Sequence, residues 1–312
     1  MASAVVFGYH DVGVRCLKVL LANGVDVRLV VTHDDNPSER IWFDSVAATA
    51  RDYGIAVIAP ADANDATTIA RVRDCAPDFL FSFYFRQMLG APMLALPARG
   101  AFNMHGSLLP RYRGRVPVTW AVLHGERETG ATLHVMNEKP DNGAIVGQQA
   151  VPILPDDTAG EVFRKVTVAA EMVLHRCLPS LVAGTAVLQA QDPSLASYFG
   201  GRKPEDGRID WRASAASVHN LVRAVAPPYP GAFCDTRAGR LRVLRTLRVA
   251  TPDPASRSPS AAPELLLDGN TLLARCGDGG MLRVIAADID GEPLDAAGFE
   301  RRFGRRLDLE NL

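Results

Sequence analysis

The chain is poor in several things at once. Its 312 residues hold five cysteines, at 16, 75, 177, 234 and 276, with no Cys-x-x-Cys. An odd, scattered set speaks against a disulfide framework and a structural zinc site, and predicts reduced thiols packed as small hydrophobes. An excess charge of one sign is missing too: 34 Lys+Arg stand against 35 Asp+Glu. From residue 200 onward the balance is 17 basic to 15 acidic, or +2. Neither figure suits a protein that coats nucleic acid. Long hydrophobic runs are also lacking. The best stretch, Val19–Val31, is broken by Asn23, Gly24, Asp26 and Arg28, so no membrane-spanning segment is expected. The N-terminal MASAVVFGYHD has no basic n-region and no long h-region, which predicts no signal peptide and a cytoplasmic protein. Gly-x-Ser-x-Gly, a P-loop and internal repeats are absent as well.

What is present is a globular balance, 47% hydrophobic and 22% charged residues. The length suits one large or two modest domains. Short apolar runs at Ser3–Phe7, Val25–Thr32, Ala56–Ile58, Phe79–Phe83 and Gly100–Met104 alternate with helical patterns at Val14–Ala22, Ser45–Tyr53 and Thr67–Cys75. This predicts an α/β fold, a doubly wound, Rossmann-like, mostly parallel sheet. Strands at Gly130–Met136 and Ile145–Ile153 and a long amphipathic helix at Ala159–Leu181 follow. A polar, Gly/Pro-bearing stretch then suits a linker, and beyond a helix at Ala215–Ala224 only short strand-like runs remain. The predicted division is 1–190, an α/β catalytic domain; 191–207, a linker; and 208–312, a small β-rich domain. Thr251–Pro263 has the composition of a surface loop.

The turn Gly8-Tyr-His-Asp-Val-Gly13 sits where a dinucleotide loop belongs, but it lacks Gly-x-Gly-x-x-Gly. A strand-to-helix turn with Asp11 near the helix N-terminus is the better reading. The densest segment is Phe102–Pro117. Asn103 and His105 stand two apart at a strand end, hence on one face, where α/β sites form. A lone histidine is more often structural. An amide on the same face and a following Leu-Leu-Pro turn tip this one toward chemistry. Asp141, in Asn137-Glu-Lys-Pro-Asp-Asn-Gly143, reads on spacing alone as a turn residue. Arg111, Arg113 and Arg115 form either a solvated basic stretch or contacts to phosphate or carboxylate groups. His10, His33, His124, His134 and His175 lack ligand spacing; each is expected to be structural, and no metal is expected.

Asn103-Met-His105-Gly-Ser-Leu-Leu-Pro110, taken with Asp141, resembles the formyltransferases that use N10-formyltetrahydrofolate. The resemblance covers nearly the whole chain. Asn220–Phe233 is similar to that family's entry into an OB-like C-terminal domain. Within the family, Val5–Asp11, Thr32–Pro37, Phe81–Tyr84 and Gly100–Arg115 resemble the formyltransferase domains of bifunctional polymyxin-resistance enzymes, which act on UDP-4-amino-4-deoxy-L-arabinose. In those enzymes a dehydrogenase/decarboxylase follows. This sequence stops at Leu312, so a separate decarboxylase is the partner that the resemblance raises.

The resemblance implies a catalytic set of Asn103, His105 and Asp141. His105 would act as general base and then as proton donor to the leaving folate nitrogen. Asn103 would hold the oxyanion. Asp141 would favour imidazolium and raise the His105 pKa. It further implies that the folate meets Gln87, Met88 and Leu89, the loop Asn137, Glu138, Lys139, Pro140 and Asp141, and Arg115. Met88 and Leu89 would also be at home in a core. The implied acceptor is a small sugar nucleotide, with no nucleic acid and no membrane. Methionyl-tRNA formyltransferase, a formyltransferase for another nucleotide-linked amino sugar, and a non-catalytic folate-binding module are the alternatives. For the tRNA reading, Arg237, Arg240, Arg242, Arg245 and Arg248 form either a basic patch or exposed strand arginines.

Overall fold

The computed structural model describes residues 1–37, 39, 41–249 and 262–309. The loop expected at 251–263 lies outside them except for its last two residues. The chain divides into two compact units. One comprises Met1–Pro117, Glu128–Pro152 and Phe163–Gly200; the other comprises Val118–Arg127, Ile153–Val162 and Gly201–Leu312.

The first unit is built on a seven-stranded sheet. In chain order its early elements are β1 (Ser3–Gly8), α1 (His10–Ala22), β2 (Asp26–Val31), α2 (Val46–Asp52), β3 (Val57–Ile58), α3 (Ala66–Asp74), β4 (Phe79–Phe83), α4 (Ala91–Leu94) and β5 (Ala101–His105). β1 and β4 are buried along their whole length, as strands covered on both faces must be. Their continuous apolar runs, SAVVFG and FLFSF, are therefore the sequence signature of central parallel strands. Side-chain caps start the helices: Ser45 Oγ accepts from the Ala48 N–H, and Asp65 from that of Thr68. α1 begins at His10, four residues before the expected start, with Asp11 in its first turn.

After β5 come β6 (Arg113–Gly114), α5 (Pro117–Leu123), β7 (Glu128–Val135), β8 (Ile145–Pro152), α6 (Ala159–Ala183) and β9 (Tyr198–Phe199). The sheet order is β3-β2-β1-β4-β5-β7-β8. The first five strands are parallel, while β7 and β8 add on antiparallel. The order reverses between β1 and β4, so the crevice for ligands opens at the carboxyl ends of β1, β4 and β5. The expected Rossmann-like sheet is present.

One helix corrects the reading of hydrophobic runs. α6 is long and apolar enough, by length and composition, to cross a membrane, with mean hydropathy 1.3 over its most apolar window. Half of that window is buried within the protein. Val162, Val166, Ala169, Val173 and Leu174 recur at helical spacing on its buried side.

The second unit holds α7 (Ala215–Val225), β10 (Ala232–Thr236), β11 (Gly239–Arg248), β12 (Glu264–Asp268), β13 (Thr271–Arg275), β14 (Met281–Ile289), β15 (Glu292–Pro293), α8 (Ala296–Phe303) and β16 (Arg306–Asp308). Its antiparallel sheet runs β10-β11-β14-β13-β12-β16, a half-barrel around Trp211, Val222, Leu241, Leu282 and Phe299. α8 was not expected. Its signal is local: Asp295 caps Gly298 at 2.6 Å, and Phe299 and Phe303 lie one turn apart on the buried face. The five cysteines are free thiols, four of them buried.

Candidate active site

β5 carries Asn103 and His105, and His105 is its last residue. The neighbouring β7 runs antiparallel and sets His134 opposite Asn103. Asp141 arrives from the turn between β7 and β8. Gly143 keeps that turn tight, since a Cβ there would collide with the Val135 carbonyl. Four groups thus meet beside the end of β5.

Their hydrogen bonds assign protons. His105 Nε2 donates to the Tyr112 carbonyl at 2.7 Å. The neutral ring then presents a bare Nδ1, 3.5 Å from Asp141 Oδ1. His134 Nδ1 donates to the Val135 carbonyl at 2.8 Å, leaving its Nε2 to accept from Asn103 Nδ2 at 3.1 Å. The same His134 Nε2 lies 3.4 Å from Asp141 Oδ1. Asp141 Oδ2 accepts from the Gly114 N–H at 2.8 Å. One amide proton of Asn103 is thereby committed to His134.

The electrostatics correct one expectation. Burial is the largest influence on His105 and lowers its pKa below the ordinary histidine value. Asp141 and the Tyr112 carbonyl push upward, and His134 pushes down. Asp141 thus acts with the expected sign, but desolvation outweighs it. For Asp141, burial pushes upward, yet His105, His134 and the Gly114 N–H together hold the carboxyl well below the usual range. The pair rests as a carboxylate beside a neutral imidazole.

His134 belongs to this cluster, although spacing alone made it a structural histidine. Its signal lies in the sheet register. Five of the seven described non-glycine residues with positive φ stand around the crevice: His10, Tyr84, Tyr112, Val116 and Asp141. Such backbone costs about 1–3 kcal/mol per residue and concentrates at functional sites. Tyr84 follows β4, and its hydroxyl lies so close to Gly106 that a Cβ there would collide with it.

At the end of β1, His10 stacks on Phe43 at 3.9 Å and meets Trp42 and Phe163 edge-on. Its Nδ1 accepts from the Asp11 N–H at 2.9 Å. The Thr32–Pro37 run lies beside this group. There His33 Nε2 accepts from the Arg86 N–H, and Tyr9 Oη donates to Asp35 at 2.8 Å. Arg86 grips Glu39 with both terminal nitrogens and lies over the Tyr9 ring.

The residues expected to meet a folate occupy varied positions. The Gln87 side chain is engaged, donating to the Ala61 carbonyl and accepting from the Ala63 N–H. Leu89 is buried in the core, so only its backbone faces outward chemistry. Met88 is 56% exposed, and its carbonyl accepts from Asn64. Asn137, Glu138 and Lys139 are exposed and Pro140 half-buried. Arg115 is exposed, with its backbone N–H donated to the Phe199 carbonyl. Arg113 grips Gln191 Oε1 at 2.7 and 3.2 Å. Among the described residues no cluster of three or more His, Cys, Asp or Glu is arranged to hold a metal.

Residues 4–178 match the family described as Formyl transferase, and residues 202–304 match Formyl transferase, C-terminal domain. The chain belongs to the formyl transferase family. It is a formyltransferase enzyme, with the family's two-part fold. Solved structures share that fold at low identity. The N-formyltransferase from Helicobacter canadensis, bound to folinic acid and dTDP-3-aminofucose, is 19% identical at a TM-score of 0.70, over 91% of this chain and 99% of that one. WlaRD, a sugar 3N-formyl transferase in the presence of dTDP and 5-N-formyl-THF, gives the same 19% and 0.70, over 91% and 97%. HypX from Aquifex aeolicus with tetrahydrofolic acid is 15% identical at 0.62, over 95% of this chain but 46% of its own.

Proposed function

We propose that this formyltransferase moves a formyl group from N10-formyltetrahydrofolate to the amine of a nucleotide-linked amino sugar, specifically the 4-amino group of UDP-4-amino-4-deoxy-L-arabinose. The observation that carries the reading is the bare His105 Nδ1 beside the Asp141 carboxylate, with an Asn103 amide proton on the same strand face. The donor supplies the formyl group when bound. His105 Nδ1 takes the proton that the attacking amine must lose. Asp141 stabilises the resulting imidazolium, the Tyr112 carbonyl fixes the ring's tautomer, and the imidazolium returns its proton to the folate nitrogen as that nitrogen's bond to the formyl carbon breaks. Asn103 donates to the oxygen that gains charge at the formyl carbon. Asn103, His105 and Asp141 are the proposed catalytic residues. Gln87, Met88, Leu89, Arg115 and residues 137–141 are proposed to hold the folate, Leu89 through its backbone.

Structures sharing this fold that hold dTDP or a dTDP-amino sugar support the acceptor class. Arginine pairing supports a small acceptor over tRNA. In the second unit Arg208 and Arg240 pair with Asp235, and Arg242 pairs with Asp288. The residue runs shared with polymyxin-resistance enzymes support a role in lipid A modification, in the cytoplasm, with a separate decarboxylase as partner. The division 1–190, 191–207 and 208–312 is part of the same proposal. Mass spectrometry of UDP-4-amino-4-deoxy-L-arabinose after incubation with enzyme and donor tests it: a gain of one formyl group is expected. A salt-steep affinity for initiator tRNA, with no sugar product, would overturn it.

A further inference from the structure

We propose that Gln191 is a positioning residue that holds the Asp141 loop in place for His105; this rests on the function proposed above. Gln191 Nε2 donates to two backbone carbonyls of that loop, Asp141 at 2.9 Å and Gly143 at 2.7 Å. Its Oε1 accepts from the Arg113 guanidinium at 2.7 and 3.2 Å. Only a primary amide meets this demand. It offers two donors and one acceptor on a single head; glutamate lacks the donors, and lysine or arginine lacks the acceptor.

The loop needs holding. Asp141 sits at φ 55°, a conformation that costs energy for a side chain with a Cβ. Its carboxylate is held at Oδ2 by the Gly114 N–H, and Oδ1 lies 3.5 Å from His105 Nδ1 and 3.4 Å from His134 Nε2. Gln191 adds side-chain bonds to two of the loop's own carbonyls. The stretch that follows it serves the other side of His105. Ser197 Oγ accepts from the Tyr112 N–H at 2.8 Å, and Phe199 stacks on the Tyr112 ring at 5.1 Å. Tyr112 in turn offers the carbonyl that fixes the His105 tautomer. Residues 191–199 therefore brace both partners of one imidazole.

The groups that face His105 are Asp141, the Tyr112 carbonyl and His134. Of these, the Asp141 charge is the one that Gln191 places. Gln191→Ala should therefore lower kcat for formyl transfer about tenfold, as small misplacements of catalytic groups do. It should also move the His105 titration, followed by histidine NMR in the free enzyme, to lower pH. Asp141→Asn should move it the same way and further. Arg113→Ala, which leaves Gln191 but removes its anchor, should give a smaller shift of the same sign. Circular dichroism and the thermal midpoint check that each variant is folded. A lowered kcat with an unmoved His105 titration would mean a merely structural residue and would overturn the proposal, as would no change in either. If the wild type formylates no amine while Gln191→Ala still moves the titration, the positioning role stands and the proposed function falls.

Discussion

A histidine closes β5 and another opens α1 just after β1, and the two are built for opposite ends. His10 is packed among Phe43, Trp42 and Phe163; burial pushes its pKa down to about 3, with Arg86 adding to the effect. The Asp11 carboxylate comes within 3.8 Å of Nδ1, but that nitrogen already accepts the Asp11 N–H. The ring therefore has no use for a proton. His105 is more deeply buried, yet its bare Nδ1 faces a carboxylate and its other nitrogen is fixed by a carbonyl. Position at a strand end makes a histidine available. A placed negative charge makes it chemically useful.

The strongest way to break this contrast is His105→Ala. Turnover should fall by roughly 10³–10⁴, with circular dichroism unchanged, because the nitrogen that takes the proton is lost. An active His105→Ala enzyme would sink the mechanism. Next, Asn103→Ala should reduce kcat by roughly 10²–10³ while donor binding, measured by calorimetry, is largely retained. Loss of donor affinity instead would make Asn103 a binding residue.

Asp141→Asn should lower kcat at neutral pH by about 10² and displace the acid limb of kcat/KM. The base works when neutral, and burial already holds the His105 pKa below the ordinary value of about 6.5, so the wild-type limb lies below that pH. Removing the charge that raises this pKa moves the limb further down. A limb that moved upward would contradict the assigned roles.

The smallest effect is expected at the other end of the comparison. His10→Phe keeps the ring stack and should leave kcat within a fewfold. The unfolded chain takes up a proton at His10 near pH 6.5, whereas the folded chain does so only near pH 3. Wild-type stability is therefore lost as pH falls through that window. The variant should lose about 1 kcal/mol at pH 7 with the Asp11 bond, but decline less between pH 6.5 and 4. Thermal midpoints across pH check the slopes.

Legibility followed distance along the chain. The parallel sheet could be read because alternation of buried strands and amphipathic helices is a local pattern. Asn103 and His105 share a strand, so period two sufficed. Asp141 stands in a loop whose Pro, Asp, Asn and Gly spell only a turn; the family resemblance, not its spacing, singled it out. His134 was out of reach because its place depends on β7 running antiparallel beside β5, a pairing that no local pattern fixes. Gln191 lay in a polar stretch that reads as a linker, and its meaning comes from carbonyls about fifty residues upstream. The two-residue strands β6 and β9 are too short for any period to show.

The division of the chain bears on modularity. The half-barrel unit includes two strips from earlier in the sequence, Val118–Arg127 and Ile153–Val162. Those strips satisfy buried groups of α7: the Pro155 carbonyl meets His219 Nε2 at 3.0 Å, and the Asp157 carbonyl meets the Arg223 guanidinium. A tail cut near residue 200 and grafted onto another enzyme would carry His219 and Arg223 buried and stripped of these partners. In such a protein the half-barrel unit cannot be inherited as a cassette; exchange has to carry three stretches of sequence together.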